Sequence, residues 1–151
     1  MPELPEIETV KLGIEKTVLG SVIISTRIFR RDLRFPIEKN FEKLILNQRV
    51  VGVGRRSKYL LFFLNNKTTI VLHLGMSGRI KLSTQIENKY KPKKHDHLII
   101  SFDNRFLLIY NDPRRFGFIE TIEGDYADYQ RFKYIGIEPV SYTHLTLPTK
   151  A

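Results

Sequence analysis

Between Asn47 and Tyr110 the chain is cut into short apolar runs by turn-forming residues, and this punctuation constrains the fold more than any other feature. Val50 to Val53, Tyr59 to Leu64, Thr68 to Leu74, Arg79 to Leu82, Leu98 to Phe102 and Phe106 to Tyr110 each read as a strand. Asn65-Asn66, Gly75, Gly78 and Asp103-Asn104 separate them. Strands so closely spaced, with helices toward the ends of the run, predict an α+β domain. The expected form is a β-sandwich or flattened barrel of short antiparallel strands flanked by two helices. The first helix is predicted over Leu4 to Val18, where Leu4, Ile7, Val10, Ile14 and Val18 step by three or four and Gly20 follows. The second spans Ile37 to Leu46 through Phe41, Leu44 and Ile45. Val22 to Phe29 is β-branched and aromatic, a strand that runs into the basic stretch Arg27 to Arg34. Gln85 to Lys94, rich in Lys and Asn, is expected to be an exposed loop, and the sequence contains no internal repeat.

Composition narrows the partner. The chain has 151 residues, enough for one domain with a core of its own. Lys plus Arg number 25 against 16 Asp plus Glu, a formal charge of +9, which favours a polyanion or an anionic membrane surface. No apolar run approaches the ~18 residues of a spanning helix, and the N-terminus is acidic where a signal peptide would be basic. A cytoplasmic protein, nucleoid-associated if bacterial, is the expectation. Zero Cys excludes disulfides and thiolate metal sites, and His73, His95, His97 and His144 are too scattered to suggest a ligand set.

Met1-Pro-Glu-Leu-Pro-Glu-Ile-Glu8 opens two readings. Removal of Met1 would leave Pro2 as a secondary amine beside the Glu3 carboxylate. An α-amino group has a pKa near ~8 against ~10.4 for Lys, so it is nucleophilic at neutral pH without burial. Attack on a sugar C1′ would give an iminium, with the carboxylate moving protons. The plainer alternative is that Pro2 and Pro5 open a helix whose first turn suits acidic residues.

Lys58 lies in Arg55-Arg-Ser-Lys-Tyr-Leu61 at the mouth of a strand. Lys58, Arg55 and Arg56 would repel one another unless anions such as phosphates lie between them; a solvated, aggregation-resistant sheet edge is the alternative. His73-Leu-Gly-Met-Ser-Gly78 sets a flexible Met76 between glycines, a poor way to pack a core and a good way to present an apolar wedge. Asn111-Asp-Pro-Arg-Arg-Phe-Gly117 projects Arg114, Arg115 and Phe116 from a Pro turn. A protein that extracts a base must fill the hole and hold the distorted backbone, work suited to such side chains.

Taken together, MPELPEIETV, RRSKYL, HLGMSGR, KHDH, YNDPRRFG and IGIEPVS resemble the formamidopyrimidine-DNA glycosylase family of base-excision repair enzymes over roughly residues 1–141. Leu4 is similar to the purine-lesion branch rather than to the endonuclease-eight branch, which typically carries Gly there. The resemblance implies that Pro2 is the nucleophile at C1′, that Glu3 assists sugar-ring opening, and that Lys58 serves the glycosylase and β-elimination steps. It further implies that Met76, Arg114 and Phe116 fill the gap left by the flipped base, with Arg114 facing the orphaned cytosine, and that His95 contacts a phosphate. The implied partner is double-stranded damaged DNA, bound by a monomer with no membrane association. The implied substrates are 8-oxoguanine and formamidopyrimidines, and neither metal nor redox cofactor is needed for these steps.

The pattern also breaks. The family has a second lobe with a helix-two-turn-helix segment and a four-Cys zinc finger, which the resemblance does not extend to here. Residues 142–151, Tyr142 to Ala151, cease to resemble the family and read as a foreign end. An N-terminal catalytic domain over 1–141 without a second lobe is expected to bind DNA weakly and to turn over little or not at all. The competing reading is a non-catalytic basic nucleic-acid-binding β domain, in which Arg clusters track phosphates and Phe116 or Tyr110 stacks on bases.

Overall fold

The computed structural model describes residues 4–84 and 89–124. Pro2, Glu3, residues 85–88 of the expected loop, the IGIEPVS segment and the tail over 142–151 lie outside the described residues. The elements run α1 (Leu4–Val18), β1 (Ile23–Ile28), α2 (Phe41–Ile45), β2 (Val50–Arg56), β3 (Tyr59–Leu64), β4 (Thr68–His73), β5 (Arg79–Thr84), β6 (Asp96–Phe102), β7 (Phe106–Asn111) and β8 (Phe118–Glu123). The strands form two four-stranded antiparallel sheets, ordered β1-β6-β7-β5 and β2-β3-β4-β8. The predicted sandwich with two helices is therefore what the chain adopts.

Alternation within the strands builds the core. Leu60, Phe62 and Leu64 of β3 face one way and join Ile70 and Leu72, Leu98 and Ile100, Leu108 and Tyr110 in the main apolar cluster. The same cluster takes in Ile7, Ile14 and Val18 from α1, so the helical stripe read from sequence closes the core. Tyr59, Leu61 and Phe63 point to the opposite face, where they cluster with Val71, Phe118 and Phe35. A strand buried on both faces explains why β3 reads as an unbroken apolar run.

Two expectations are corrected. Helix α2 is only five residues long, Phe41–Ile45, rather than a helix from Ile37. The Ile37 N–H donates to Arg31 O, and the Arg31 guanidinium donates to the Glu38 and Ile37 carbonyls, so these groups find partners outside a helix. Strand β8 was not expected at all. Its Phe-Ile-Glu-Thr-Ile-Glu sequence is half polar, and it forms because six consecutive residues of β4 pair with it, Thr68 opposite Glu123 through His73 opposite Phe118. Among the described residues no helix is long and apolar enough to cross a membrane.

Candidate nucleic-acid interface

The segments Leu74–Gly78 and Asp112–Gly117 are two of the three connections at which the chain passes from one sheet to the other, β4 to β5 and β7 to β8, the third being the α2-containing link from β1 to β2. Topology thus brings the Met76 loop and the Arg114–Phe116 loop side by side. Gly75 has φ +63, and a Cβ built on it would lie 2.6 Å from the Gly117 N and 2.7 Å from the Phe116 carbonyl carbon. Only glycine allows this contact. At their tips Met76 and Phe116 are 47% and 42% exposed, the two large apolar side chains that the fold leaves out of its core here. The Arg114 guanidinium lies 5.0 Å over the Phe116 ring, a cation–π contact that holds both side chains as one projection.

The base of this projection is Asp112, which is fully buried. Its Oδ2 accepts from the Tyr110 hydroxyl at 2.6 Å and the Gly117 N–H at 2.9 Å, and its Oδ1 accepts from the Ser77 hydroxyl at 2.6 Å. Burial and the adjacent Asp112 push the Tyr110 phenol well up, so it remains a donor. The Asp112 N–H donates to His95 O, and His97 Nε2–H donates to Asp112 O at 2.7 Å. His95 takes a left-handed φ of 71 at the turn into β6 and is only partly buried.

That turn is locked by a second buried carboxylate, Asp96. It accepts from the Tyr90 hydroxyl at 2.5 Å, the Lys93 N–H at 2.8 Å and Asn111 Nδ2 at 2.8 Å, with Lys81 Nζ at 3.4 Å. Burial alone would raise the Asp96 carboxyl; these donors hold it below its ordinary value. The Tyr90 phenol is pushed up to about 12 by burial and by the Asp96 bond.

Lys58 sits in the two-residue turn between β2 and β3, beside Ser57 with its φ of 53. Its charge and that of Arg34 both reach His73, the last residue of β4. Burial first, then Arg34 and Lys58, lower the His73 pKa from 6.5 to about 4. Nδ1 of that ring accepts the Gly75 N–H at 3.0 Å, which leaves the proton of the neutral form on Nε2. The ring stacks on Phe118 at 5.5 Å and meets the Tyr59 ring edge-on at 4.8 Å. Lys58, His73, Met76, Arg114, Phe116 and His95 are therefore linked along one rim of the sandwich.

Arg55 and Arg115 carry ion pairs within the fold. Arg55 donates to Glu8 at 2.7 Å and to Ser57 O at 3.0 Å, so it ties α1 to the hairpin that carries Lys58. Arg56 is buried, 3% exposed. Arg115 donates to Asp32 at 3.0 Å, a carboxyl also held by Arg30 at 2.6 Å. Those two guanidiniums keep Asp32 below its ordinary carboxyl range, the Arg30 hydrogen bond being the larger cause. Sequence reading missed Asp112, Ser77, Asp96 and His73; adjacency to the wedge residues was the available signal, and it does not reveal which of them share a buried hydrogen bond.

Met76 divides two clefts. One, of 540 Å³, opens between Glu6 and Val10 of α1 and the Met76–Ile80 segment; the other, of 630 Å³, lies among Arg34, His73, Arg114 and Phe116. Among the described residues no group of three or more His, Cys, Asp or Glu is placed to hold a metal ion.

The two-sheet sandwich is shared with DNA glycosylases of known structure. A Lactococcus lactis formamidopyrimidine-DNA glycosylase, bound non-covalently to DNA containing an abasic site, matches with a TM-score of 0.81 at 34% identity over 95% of this chain and 54% of that one. A mutant of the Lactococcus lactis protein in complex with DNA containing Fapy-dG matches with a TM-score of 0.80 at 36% identity, over 91% and 50%. Among curated relatives, the formamidopyrimidine-DNA glycosylase of Bartonella tribocorum is 43% identical over 94% of this chain and 52% of its own length. That of Rickettsia bellii is 39% identical over 93% and 50%. Residues 1–119 match the formamidopyrimidine-DNA glycosylase N-terminal domain, and the chain belongs to that family. It spans about half the length of the curated relatives it matches.

Proposed function

We propose that residues 1–141 are the N-terminal catalytic domain of a base-excision enzyme that removes oxidised purines, 8-oxoguanine and formamidopyrimidines, from double-stranded DNA and cleaves the abasic strand by β-elimination. The observation that carries this reading is the rim on which Met76, Arg114 and Phe116 project as one unit beside Lys58 and His95. An exposed Met and Phe at the tips of tight, buried-carboxylate-anchored loops are of no use to the core and suit the gap left by an extruded base. Lys58, Arg34 and the neutral His73, which can donate from Nε2, supply cations and a hydrogen-bond donor for phosphates.

Pro2 is the proposed nucleophile. Its neutral amine attacks C1′ as the base leaves and then gives up its proton; the C1′–O4′ bond breaks, with O4′ protonated by Glu3, to leave an iminium that acidifies the C2′ proton, whose loss expels the 3′ phosphate. Glu3 is the proposed acid/base and Lys58 assists. The Glu8–Arg55 pair supports this assignment because it fixes the start of α1 to the hairpin of Lys58. No cofactor is proposed for these steps, and the protein acts as a monomer in the cytoplasm.

Borohydride trapping on an abasic duplex tests the assignment. With Met1 removed, the full chain is expected to form a stable crosslink at low salt, lost in Pro2→Gly. Absence of crosslink at high protein concentration would refute the covalent role for this chain. Salt-dependent retention that is indifferent to damage and to Pro2→Gly would favour a non-catalytic DNA-binding domain instead.

A further inference from the structure

The Met76 loop and the Arg114–Phe116 loop are joined by a relay that runs outside their exposed tips. The Arg114 N–H donates to Ser77 Oγ at 3.1 Å, and the Ser77 hydroxyl donates to Asp112 Oδ1 at 2.6 Å. The other oxygen of the same carboxyl holds the Gly117 N–H at 2.9 Å. One buried group therefore bonds both loops, and one hydroxyl bonds both Asp112 and the Arg114 N–H. The Gly75–Gly117 contact leaves no slack between them, since even a methyl group would overlap.

We infer that Ser77 and Asp112 form a joint that makes the two loops a single rigid wedge, and that Ser77 is thereby a positioning residue for discrimination between gapped and intact DNA. This rests on the interface proposed above. With the joint intact, Met76 enters a duplex only together with Arg114 and Phe116, and three side chains fit only where a base has left the stack. With the joint broken, each loop samples its own positions and either can probe an intact groove. Preorganisation of this kind alters selectivity more than gross affinity, because the phosphate contacts that dominate affinity lie on other residues.

Two measurements on the full chain separate the joint from the interface. Without DNA, amide hydrogen exchange is followed at Gly117, whose own bond to Asp112 does not involve Ser77. Ser77→Ala is expected to speed exchange there about tenfold, and Ser77→Thr, which keeps the hydroxyl, to restore it; an unchanged Gly117 would overturn the joint. With DNA, affinity is measured for a duplex carrying a tetrahydrofuran abasic analogue and for the intact duplex. Ser77→Ala is expected to lower the ratio of the two affinities about tenfold, with recovery in Ser77→Thr, and a ratio equal to the parent's would overturn the positioning role. A parent chain with no preference for the gapped duplex refutes the interface reading and the role in discrimination, while hydrogen exchange alone still decides the joint.

Discussion

His73→Gln probes the electrostatics of the rim through the pH dependence of folding. Gln is neutral at every relevant pH and can still accept from the Gly75 N–H. In the parent, burial, Arg34 and Lys58 lower the imidazole pKa from 6.5 to about 4. Between these values the unfolded chain takes up a proton that the folded chain refuses, so the contribution of neutral His73 is fully present above 6.5 and is lost as pH falls toward 4. A difference of about 2.5 at about 1.36 kcal/mol each sets a ceiling of ~3.4 kcal/mol. Partial exposure of the ring and relaxation of the Arg34 and Lys58 side chains reduce this to about 1–2 kcal/mol. Urea denaturation of both proteins from about pH 7.5 to about pH 4 measures it, since the difference between them cancels every other titrating group. The parent's advantage over His73→Gln is expected to shrink by about 1–2 kcal/mol across that range. Parallel stability curves, or a ring proton of His73 that titrates near 6.5 by NMR, would refute the reasoning.

Gly75→Ala must place a methyl group 2.6 Å from the Gly117 N at a φ of +63; left-handed strain and overpacking together predict a loss of about 2–4 kcal/mol, read by denaturation. The two arginines Arg114 and Arg55 should separate cleanly. Arg114→Ala is expected to weaken binding to an abasic duplex by about 1–3 kcal/mol with little change in melting temperature. Arg55→Ala, which breaks the 2.7 Å bond to Glu8, is expected to lower stability by about 1.5–3 kcal/mol and to leave the salt dependence of DNA binding nearly unchanged.

Where local pattern and tertiary outcome agree, the agreement has a simple source. The stripe Ile7, Ile14, Val18 and the alternation through β3, β4 and β7 register burial directly, so helix α1 and most strands could be read before any fold was known. Strand β8 could not, because its pairing partner and not its composition makes it a strand. Nor could the shortness of α2, where the nearby Arg31 guanidinium donates to the Ile37 and Glu38 carbonyls ahead of the helix.

The site divides in the same way. Sequence by itself determined which residue types stand at the rim: an exposed Met76 between glycines, an Arg-Arg-Phe turn, a lysine after a basic strand end. It could not assign the cations, since Arg55, Arg56 and Arg115 are as basic on paper as Arg114. Only the tertiary structure decided that Glu8 and Asp32 take Arg55 and Arg115 and that Arg56 is buried, leaving Arg114 over Phe116. Charge is a property of a residue, whereas the partner that neutralises it is chosen by a fold that brings positions as far apart as 32 and 115 within hydrogen-bond reach.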